Sequence, residues 1–331
     1  MIVMRETVTA KDVAKLAGVS QSSVSRVYFE GASVSEKTKK RVKEAAEELG
    51  YRPNVYARSL ITNQSKIIGL VMKGVQNPFY AQALKRFSSL FKKHGYSVLF
   101  VYTNNDEIQQ EDVETLLNYN VAGVVVTDAT MLFSVGEEFK KNNIPLVFFN
   151  RKLSTENFYS VCCNNIDASR SIAKYLLSKG ASELVLITGK VDTSTSIERE
   201  KGFCEVLDHQ KVPYRIYNSD YTYEGGYHTA MTVLKEKRLP SAIFVANDIM
   251  AFGVIDALRK NGVRIPEDTK IVGFDNIDMA SWPAYELTTW EQPIEEMINE
   301  TVDYLMNEIA SYTGLVRDIE VDGKFIERKT T

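Results

Sequence analysis

Short unbroken apolar runs, each a helix's length from the next, constrain the fold of this 331-residue chain more than any other feature. Ile67-Ile68-Gly69-Leu70-Val71-Met72, Ser97-Val98-Leu99-Phe100-Val101-Tyr102, Ala122-Gly123-Val124-Val125-Val126 and Pro145-Leu146-Val147-Phe148-Phe149 form a first series. The pattern restarts with Glu183-Leu184-Val185-Leu186-Ile187-Thr188, Ala242-Ile243-Phe244-Val245-Ala246 and Lys270-Ile271-Val272-Gly273-Phe274. A strand that is apolar along its whole length needs cover on both faces, which parallel strands joined by crossover helices provide. The two series therefore predict two similar open α/β subdomains. In such sheets a ligand crevice lies beyond the carboxyl ends of the strands. The residues there are polar or aromatic: Asn77-Pro78-Phe79-Tyr80, Thr127-Asp128, Asn150-Arg151, Thr188-Gly189, Asn247-Asp248 and Asp275-Asn276. Any one of these reads equally as a cap or a turn; their joint occurrence points to a binding crevice.

The segment before these runs has a different character. Up to Lys66 the chain carries 12 Lys+Arg against 7 Asp+Glu, a net of +5, whereas the remainder carries 28 against 36, a net of −8. A basic segment on an acidic body fits nucleic-acid contact, because Lys and Arg release counterions from phosphate, and fits a solvated helix face equally well. Thr9 with Asp12 three residues on is a capping pair, and Ala10, Val13, Ala14 and Ala17 share one helical face. Gly18-Val19-Ser20 is a tight turn, Ser20 caps a second helix from Gln21 to about Val27, and Ser35 caps a third that ends at Gly50. The third carries Val42, Ala45, Ala46 and Leu49 on its apolar stripe. The spacing suits a generic three-helix cap or a helix-turn-helix, whose second helix would offer Gln21, Ser22 and Arg26 to base edges while Val24 and Val27 hold it to the core.

The runs Val8-Thr9-Ala10-Lys11-Asp12-Val13-Ala14-Lys15-Leu16-Ala17-Gly18-Val19-Ser20, Val24-Ser25-Arg26-Val27, Val34-Ser35-Glu36-Lys37-Thr38 and Leu49-Gly50-Tyr51-Arg52-Pro53-Asn54 closely resemble the lactose-repressor/galactose-repressor (LacI/GalR) family of bacterial transcription regulators. The resemblance implies DNA contacts by Thr9, Ser20, Gln21, Ser22, Ser25, Arg26 and Ser35. It also implies a hinge after Pro53-Asn54 that turns helical on operator DNA, with Asn54 and Ala57 in it and Leu60 wedged into the minor groove. Read by itself, Leu60 is an ordinary linker leucine. Phe29, followed by Glu30 and Gly31, stands where the family usually has Asn, a departure at the end of the recognition helix.

The resemblance continues through Asn77-Pro78-Phe79-Tyr80, Arg199-x-x-Gly202-Phe203, Gly225-Gly226-Tyr227, Val245-Ala246-Asn247-Asp248, Val272-Gly273-Phe274-Asp275 and Leu287-Thr288-Thr289. It implies a small all-α helix-turn-helix head on an α/β body of two open parallel-sheet subdomains, similar to a type I periplasmic-binding-protein clamp. The division expected is a head over 1–52, a hinge over 53–64 and an effector-binding and dimerisation domain over 65–331. Its subdomains would be about 65–160 plus 291–318, and about 161–290 plus 319–331. Carried over by position, Arg199 and Asp275 would grip effector hydroxyls, Phe79, Tyr80 and Tyr221 would form aromatic walls, and Thr127, Asn150 and Asn247 would add hydrogen bonds. Tyr221 also reads as one surface tyrosine among the four between Tyr217 and Tyr227.

Other chemistry finds little support. His94, His209 and His228 are scattered outside any metal or triad pattern, and Gly225-Gly226 and Gly69 form neither a phosphate loop nor a dinucleotide fingerprint. Asp106, Glu107, Glu111, Asp112 and Glu114 fit a helix start, where carboxylates complement the dipole. Cys162, Cys163 and Cys204 match no disulfide framework or zinc spacing and read as small buried hydrophobes. With neither a run of about 18 apolar residues nor a secretory h-region, the expectation is a cytoplasmic protein that needs no cofactor or metal and does not enter membranes. The expected function is a homodimeric regulator, a repressor, that binds a pseudo-palindromic double-stranded operator under control of a small effector, a sugar or sugar derivative. The rival readings are a solute-binding protein without DNA function and a sugar-modifying enzyme.

Overall fold

In the computed structural model, the structure describes residues 8–28, 33–52, 65–103, 107–131, 133–153, 157–236 and 238–331. The chain divides into two units, Met1–Ser65 and Lys66–Thr331.

The first unit holds α1 (Ala10–Ala17), α2 (Gln21–Val27) and α3 (Glu36–Leu49). Each begins where a short polar side chain satisfies amide groups that a helix start leaves open. The Asp12 carboxylate accepts from both the amide (2.8 Å) and the hydroxyl (2.7 Å) of Thr9, and these bonds hold the Asp12 carboxyl below its usual range. Ser20 accepts from the Ser23 amide at 3.1 Å and Ser35 from the Thr38 amide at 3.3 Å. Gly18 ends α1 at φ +60°, a left-handed backbone that favours glycine, and the exposed Arg41 guanidinium lies over it. Val13, Ala14, Ala17, Val24, Val42, Ala45 and Ala46 form the core, with Val27, Leu49 and Tyr51 packed against it.

The second unit begins β1 (Ile67–Met72), α4 (Pro78–Lys93), β2 (Ser97–Tyr102), β3 (Glu107–Ile108), α5 (Gln110–Asn118), β4 (Gly123–Val126), β5 (Thr130–Met131), α6 (Phe133–Lys141), β6 (Leu146–Phe149) and β7 (Tyr159–Cys163). It continues α7 (Asn165–Ser178), β8 (Leu184–Thr188), α8 (Ser194–Gln210), β9 (Tyr214–Asn218), α9 (Tyr223–Val233), β10 (Ala242–Val245), α10 (Asp248–Lys260), β11 (Lys270–Asp275), β12 (Thr288–Glu291), α11 (Ile294–Ala310), β13 (Asp318–Val321) and β14 (Lys324–Ile326). One sheet runs β13-β7-β6-β4-β1-β2 and is parallel throughout. The other runs β14-β12-β11-β10-β8-β9 and is parallel except where β14 pairs with β12. All seven apolar runs form strands that are largely or wholly buried apart from β2, an edge strand with Phe100 and Tyr102 exposed.

Three passages link the two sheets, after β7, after β12 and after β13. Two of these crossovers fall a few residues later than the expected boundaries at 160/161 and 318/319. The cause is pairing between β7 and β13, in register from Ser160↔Asp318 to Cys163↔Val321, which keeps both in the first sheet. The chain leaves it at Asn164 and Asp322, whose side chains are joined by a 3.0 Å hydrogen bond. Cys162 and Cys163 lie buried in β7, Cys204 is half-buried on α8, and all three are free thiols. Among the described residues no helix is long and apolar enough to cross a membrane.

Candidate functional site

On the head, α2 presents Gln21, Ser22 and Arg26 to solvent, with Ser25 half-buried beside them and Val24 turned into the core at 1% exposure. Thr9, Ser20 and Ser35 stand at the three helix starts, where their hydroxyls already serve the caps described above. The Ser20 hydroxyl also bonds those of Ser22 and Ser23, at 2.8 and 2.9 Å. Lys37, Lys40, Arg41 and Lys43 are exposed along α3. Asn54, Ala57 and Leu60 of the hinge, and Phe29, Glu30 and Gly31 at the end of the recognition segment, lie outside the described residues.

In the body a cavity of about 410 Å³ lies between the two sheets at their carboxyl ends. Seven of the eight expected effector residues line it: Phe79, Tyr80, Asn150, Arg199, Tyr221, Asn247 and Asp275. Thr127 does not. Its side chain is wholly buried and its hydroxyl donates to the Val71 carbonyl (3.4 Å) and to Asp128 (2.9 Å), so the next residue, Asp128, forms the wall. Successive side chains of an extended segment face opposite ways, which moves the contact by one position. The carboxylate of Asp128 also accepts from the Lys73 amide at 2.6 Å, and burial pushes its carboxyl upward.

The aromatic walls differ in kind. Phe79 is almost fully buried and stacks on Phe149, so it contributes mainly to the core, while Tyr80 stands edge-on to it. The Tyr80 hydroxyl accepts from Asn150 Nδ2 at 3.3 Å, and burial raises its pKa. Tyr221 is no surface tyrosine: its hydroxyl bonds those of Ser196 (2.6 Å) and Thr195 (3.0 Å), anchoring the ring across the cavity wall. The ring takes the space beside Gly189, where a Cβ would come within 2.0 Å of it.

Arg199 and Asp275 are buried and held by the protein. Arg199 donates to Asn165 Oδ1 (2.9 Å) and to the Ala246 carbonyl (2.5 Å), and its guanidinium lies 3.6 Å from the Phe274 ring centre. Asp275 accepts from Gln292 Nε2 (2.6 Å) and, across the cleft, from Asn77 Nδ2 (3.3 Å). Burial raises its pKa to about 6, against the opposing pull of Arg199. Beneath it Asp248, wholly buried, accepts from the Thr289 hydroxyl and the Ile277 amide, and burial together with the Asp275 charge drives its carboxyl well above the usual range. Asn247 spends both amide atoms on structure, accepting from the Met250 amide and donating to the Tyr221 carbonyl.

Charged residues beyond the expected contacts Arg199 and Asp275 complete the wall. Lys73, Arg151, Lys190 and Arg199 line the cavity against Asp128, Asp220 and Asp275. Arg151 Nε and Nη1 and Asn150 Oδ1 are buried without a hydrogen-bond partner among the described residues. The signal for Arg151 and Asp128 was their place at strand ends; nothing in spacing separated them from capping residues. A second contact closes the cleft beside the cavity: Lys152 Nζ, just past β6, reaches Glu198 on α8 (2.9 Å), and within its own subdomain it also pairs with Glu320 on β13 (2.6 Å). Among the described residues no group of three His, Cys, Asp or Glu is arranged to hold a metal ion.

Comparison with known proteins gives the same two parts. Residues 9–54 match the model for bacterial regulatory proteins of the lacI family, and residues 68–281 match a periplasmic binding protein domain. The chain is 32% identical over 328 residues to the HTH-type transcriptional repressor PurR of Edwardsiella ictaluri (strain 93-146), covering 97% of this chain and 96% of that protein. The lac repressor dimer bound to operator and the anti-inducer ONPF superposes with a TM-score of 0.86 at 27% identity, over 98% of this chain and 99% of that one. The transcriptional regulator CelR in complex with cellobiose superposes at 0.73 with 26% identity, over 98% and 100% of the two chains. With head, clamp and whole-length similarity in agreement, the chain belongs to the LacI family of bacterial transcription regulators.

Proposed function

We infer that this regulator is a cytoplasmic homodimeric repressor without enzymatic activity, whose heads read the two halves of a pseudo-palindromic operator. Its hold on DNA is set by a small hydroxylated effector, a sugar or sugar derivative, bound between the two subdomains. The observation that carries the effector reading is a cavity between the subdomains lined by Arg151 and Asn150, both of which hold buried polar atoms without partners among the described residues. Leaving such groups unpaired costs on the order of 1–3 kcal/mol each, and a ligand offering both acceptors and donors would relieve that cost. Phe79, Tyr80, Asn150, Arg199, Tyr221, Asn247 and Asp275 are the effector contacts in this reading. Asp275 accepts from a hydroxyl, and the rings of Tyr80 and Tyr221 pack against the ligand's apolar face.

Gln21, Ser22, Ser25 and Arg26 read bases or phosphates, and Thr9, Ser20 and Ser35 set the helix starts that approach the backbone. Asn54, Ala57 and Leu60 form the hinge contact, and the division into 1–52, 53–64 and 65–331 goes with that assignment. Similarity to a repressor captured as a dimer on operator supports the two-fold arrangement, and one bound to cellobiose supports a carbohydrate effector. The exposed Phe100 and Tyr102 on edge strand β2 offer a surface that a second copy would cover.

Effector and operator then share one coupling free energy, typically about 1–3 kcal/mol and reciprocal. The test has two steps: select the operator from random duplexes with the full chain, then screen sugars by thermal shift and measure operator affinity with and without each that binds. A chain lacking residues 1–60 is expected to lose DNA binding and keep ligand binding. Effector affinity unchanged by operator would remove the allosteric part of this reading.

A further inference from the structure

We propose that the effector carries an acidic group, a carboxylate or phosphate on its hydroxylated frame, and that Arg151 reads that group. The proposal rests on the effector reading of the cavity given above and adds the ligand's charge. Two guanidinium groups line the cavity, and the protein treats them differently. Arg199 is engaged by Asn165, the Ala246 carbonyl and the Phe274 ring. Arg151 is only 9% exposed, yet its Nε and Nη1 find no hydrogen-bond acceptor among the described residues. The groups facing it are Tyr80, which is its one side-chain hydrogen-bond partner among them, Tyr221 and Asp128, and its guanidinium lies 5.9 Å from the Tyr221 ring centre.

Asp128 is the one carboxylate in that set, and it accepts instead from the Lys73 amide and the Thr127 hydroxyl. Asp275 is likewise committed, to Gln292 and Asn77. Four cationic side chains line the cavity against three carboxylates, although the chain beyond Lys66 carries a net charge of −8. The cavity thus reverses the sign of the unit that contains it. A neutral hydroxyl would satisfy one N–H of Arg151 but add nothing to Asp128, the one carboxylate that faces this buried cation. A carboxylate or phosphate supplies acceptor and charge together, the stronger form of hydrogen bond.

The test uses the full chain and matched ligands that differ only in the acid: glucose with glucuronate and glucose 6-phosphate, galactose with galacturonate, and ribose with ribose 5-phosphate. Thermal shift identifies binders and calorimetric titration gives affinities. The uronate and phosphate arms separate the two sources of charge, and acetate and inorganic phosphate alone report what the acid contributes without its frame. We expect an acidic member to bind about 30-fold or more tighter than its neutral partner, the scale on which a buried charge pair discriminates. Arg151→Gln is expected to abolish that preference and Arg151→Lys to restore part of it. A neutral sugar that binds as tightly as its acid, equal losses for both in Arg151→Gln, or a panel in which no acidic member binds, overturns the proposal. The wild-type comparison decides it even if a variant fails to fold. A neutral sugar that alters operator binding would leave the regulator reading standing while removing the acid. An acid that binds without altering operator affinity would do the reverse.

Discussion

Replacing Val24 by alanine separates the two units of this protein by stability. Val24 is 1% exposed in a core of seven buried side chains, four of them alanines, so the valines supply much of its apolar area. Removing two methyl groups forfeits about 1.6 kcal/mol at roughly 0.8 kcal/mol per buried carbon, and the residual cavity brings the cost to about 2–3 kcal/mol. The matched head spans residues 9–54. At roughly 0.05–0.15 kcal/mol per residue it is worth only about 2–7 kcal/mol in total, so a third or more of its stability is removed. Scanning calorimetry should show an early transition that moves down or vanishes while the main transition of the body stays in place. Operator affinity by fluorescence anisotropy should fall at 37 °C as the folded fraction of paired heads drops, by about tenfold where the head starts near the lower end of that range and by less where it starts higher. Leu16→Ala, at a side chain 47% exposed on the same small bundle, should leave the early transition within about 0.5 kcal/mol of wild type. A Val24→Ala protein whose early transition and operator affinity both match wild type would refute the assignment of Val24 as the residue anchoring α2 to the head.

Three other outcomes follow. Gln21→Ala should relax base preference at one operator position at a cost of about 1–3 kcal/mol, whereas Lys40→Ala should weaken all sequences alike and lower the salt slope by about 1; equal effects in a competition assay across sequences would count against α2 as the reading helix. Asp275 titrates near pH 6 in the folded protein, above its ordinary 3.8, so the folded state takes up a proton that the unfolded chain has already lost between about pH 4 and 6. Its burial therefore costs stability as pH rises through that window, while the ionised form is the stronger acceptor of a ligand hydroxyl. Affinity for a neutral sugar should drop several-fold from pH 7 to pH 5, and a flat calorimetric profile would remove Asp275 from the contact set. Lys152→Met should weaken effector binding about three- to tenfold by loosening cleft closure, a loss of the order expected for a part-buried charged hydrogen bond; a titration curve identical to wild type would show that the bridge to Glu198 and Glu320 does not contribute to closure.

What could be read from the chain tracks where its chemistry is redundant. Strands such as Leu184–Thr188 and Ala242–Val245 are buried on both faces and announce themselves as apolar runs. Strand Asp318–Val321 alternates exposed and half-buried residues at a sheet edge, and Tyr214–Asn218 is half polar, so neither differs from a loop in composition. Tyr159–Cys163 is fully buried but carries a serine and two cysteines, which weaken the signal. The site followed the same logic. The strand-end rule located the crevice, and seven of the eight residues expected to hold an effector line it. It could not fix which of two neighbours faces inward, so Thr127 stood for Asp128. Nor could it foresee that Arg199 would be held by Asn165 and Ala246 while Nε and Nη1 of Arg151 found no acceptor among the described residues, because the first depends on a residue 34 positions away and a carbonyl 47 positions away.

The pairing of β7 with β13 also sets a timetable for biosynthesis. Cys163 ends β7, and the strand that completes its edge starts at Asp318, about 155 residues later. At roughly 5–20 residues per second the ribosome needs about 8–30 s to supply it, and α11, which packs on β6 and β7, emerges only shortly before. The head has no such debt, since its three helices are complete once residue 49 has been made. A newborn chain thus passes through an interval in which its DNA-reading part can fold while its ligand-sensing part is still unfinished. Messenger, ribosome and gene lie close together in a bacterium, so in this interval a folded head can meet DNA before the body that controls it is complete.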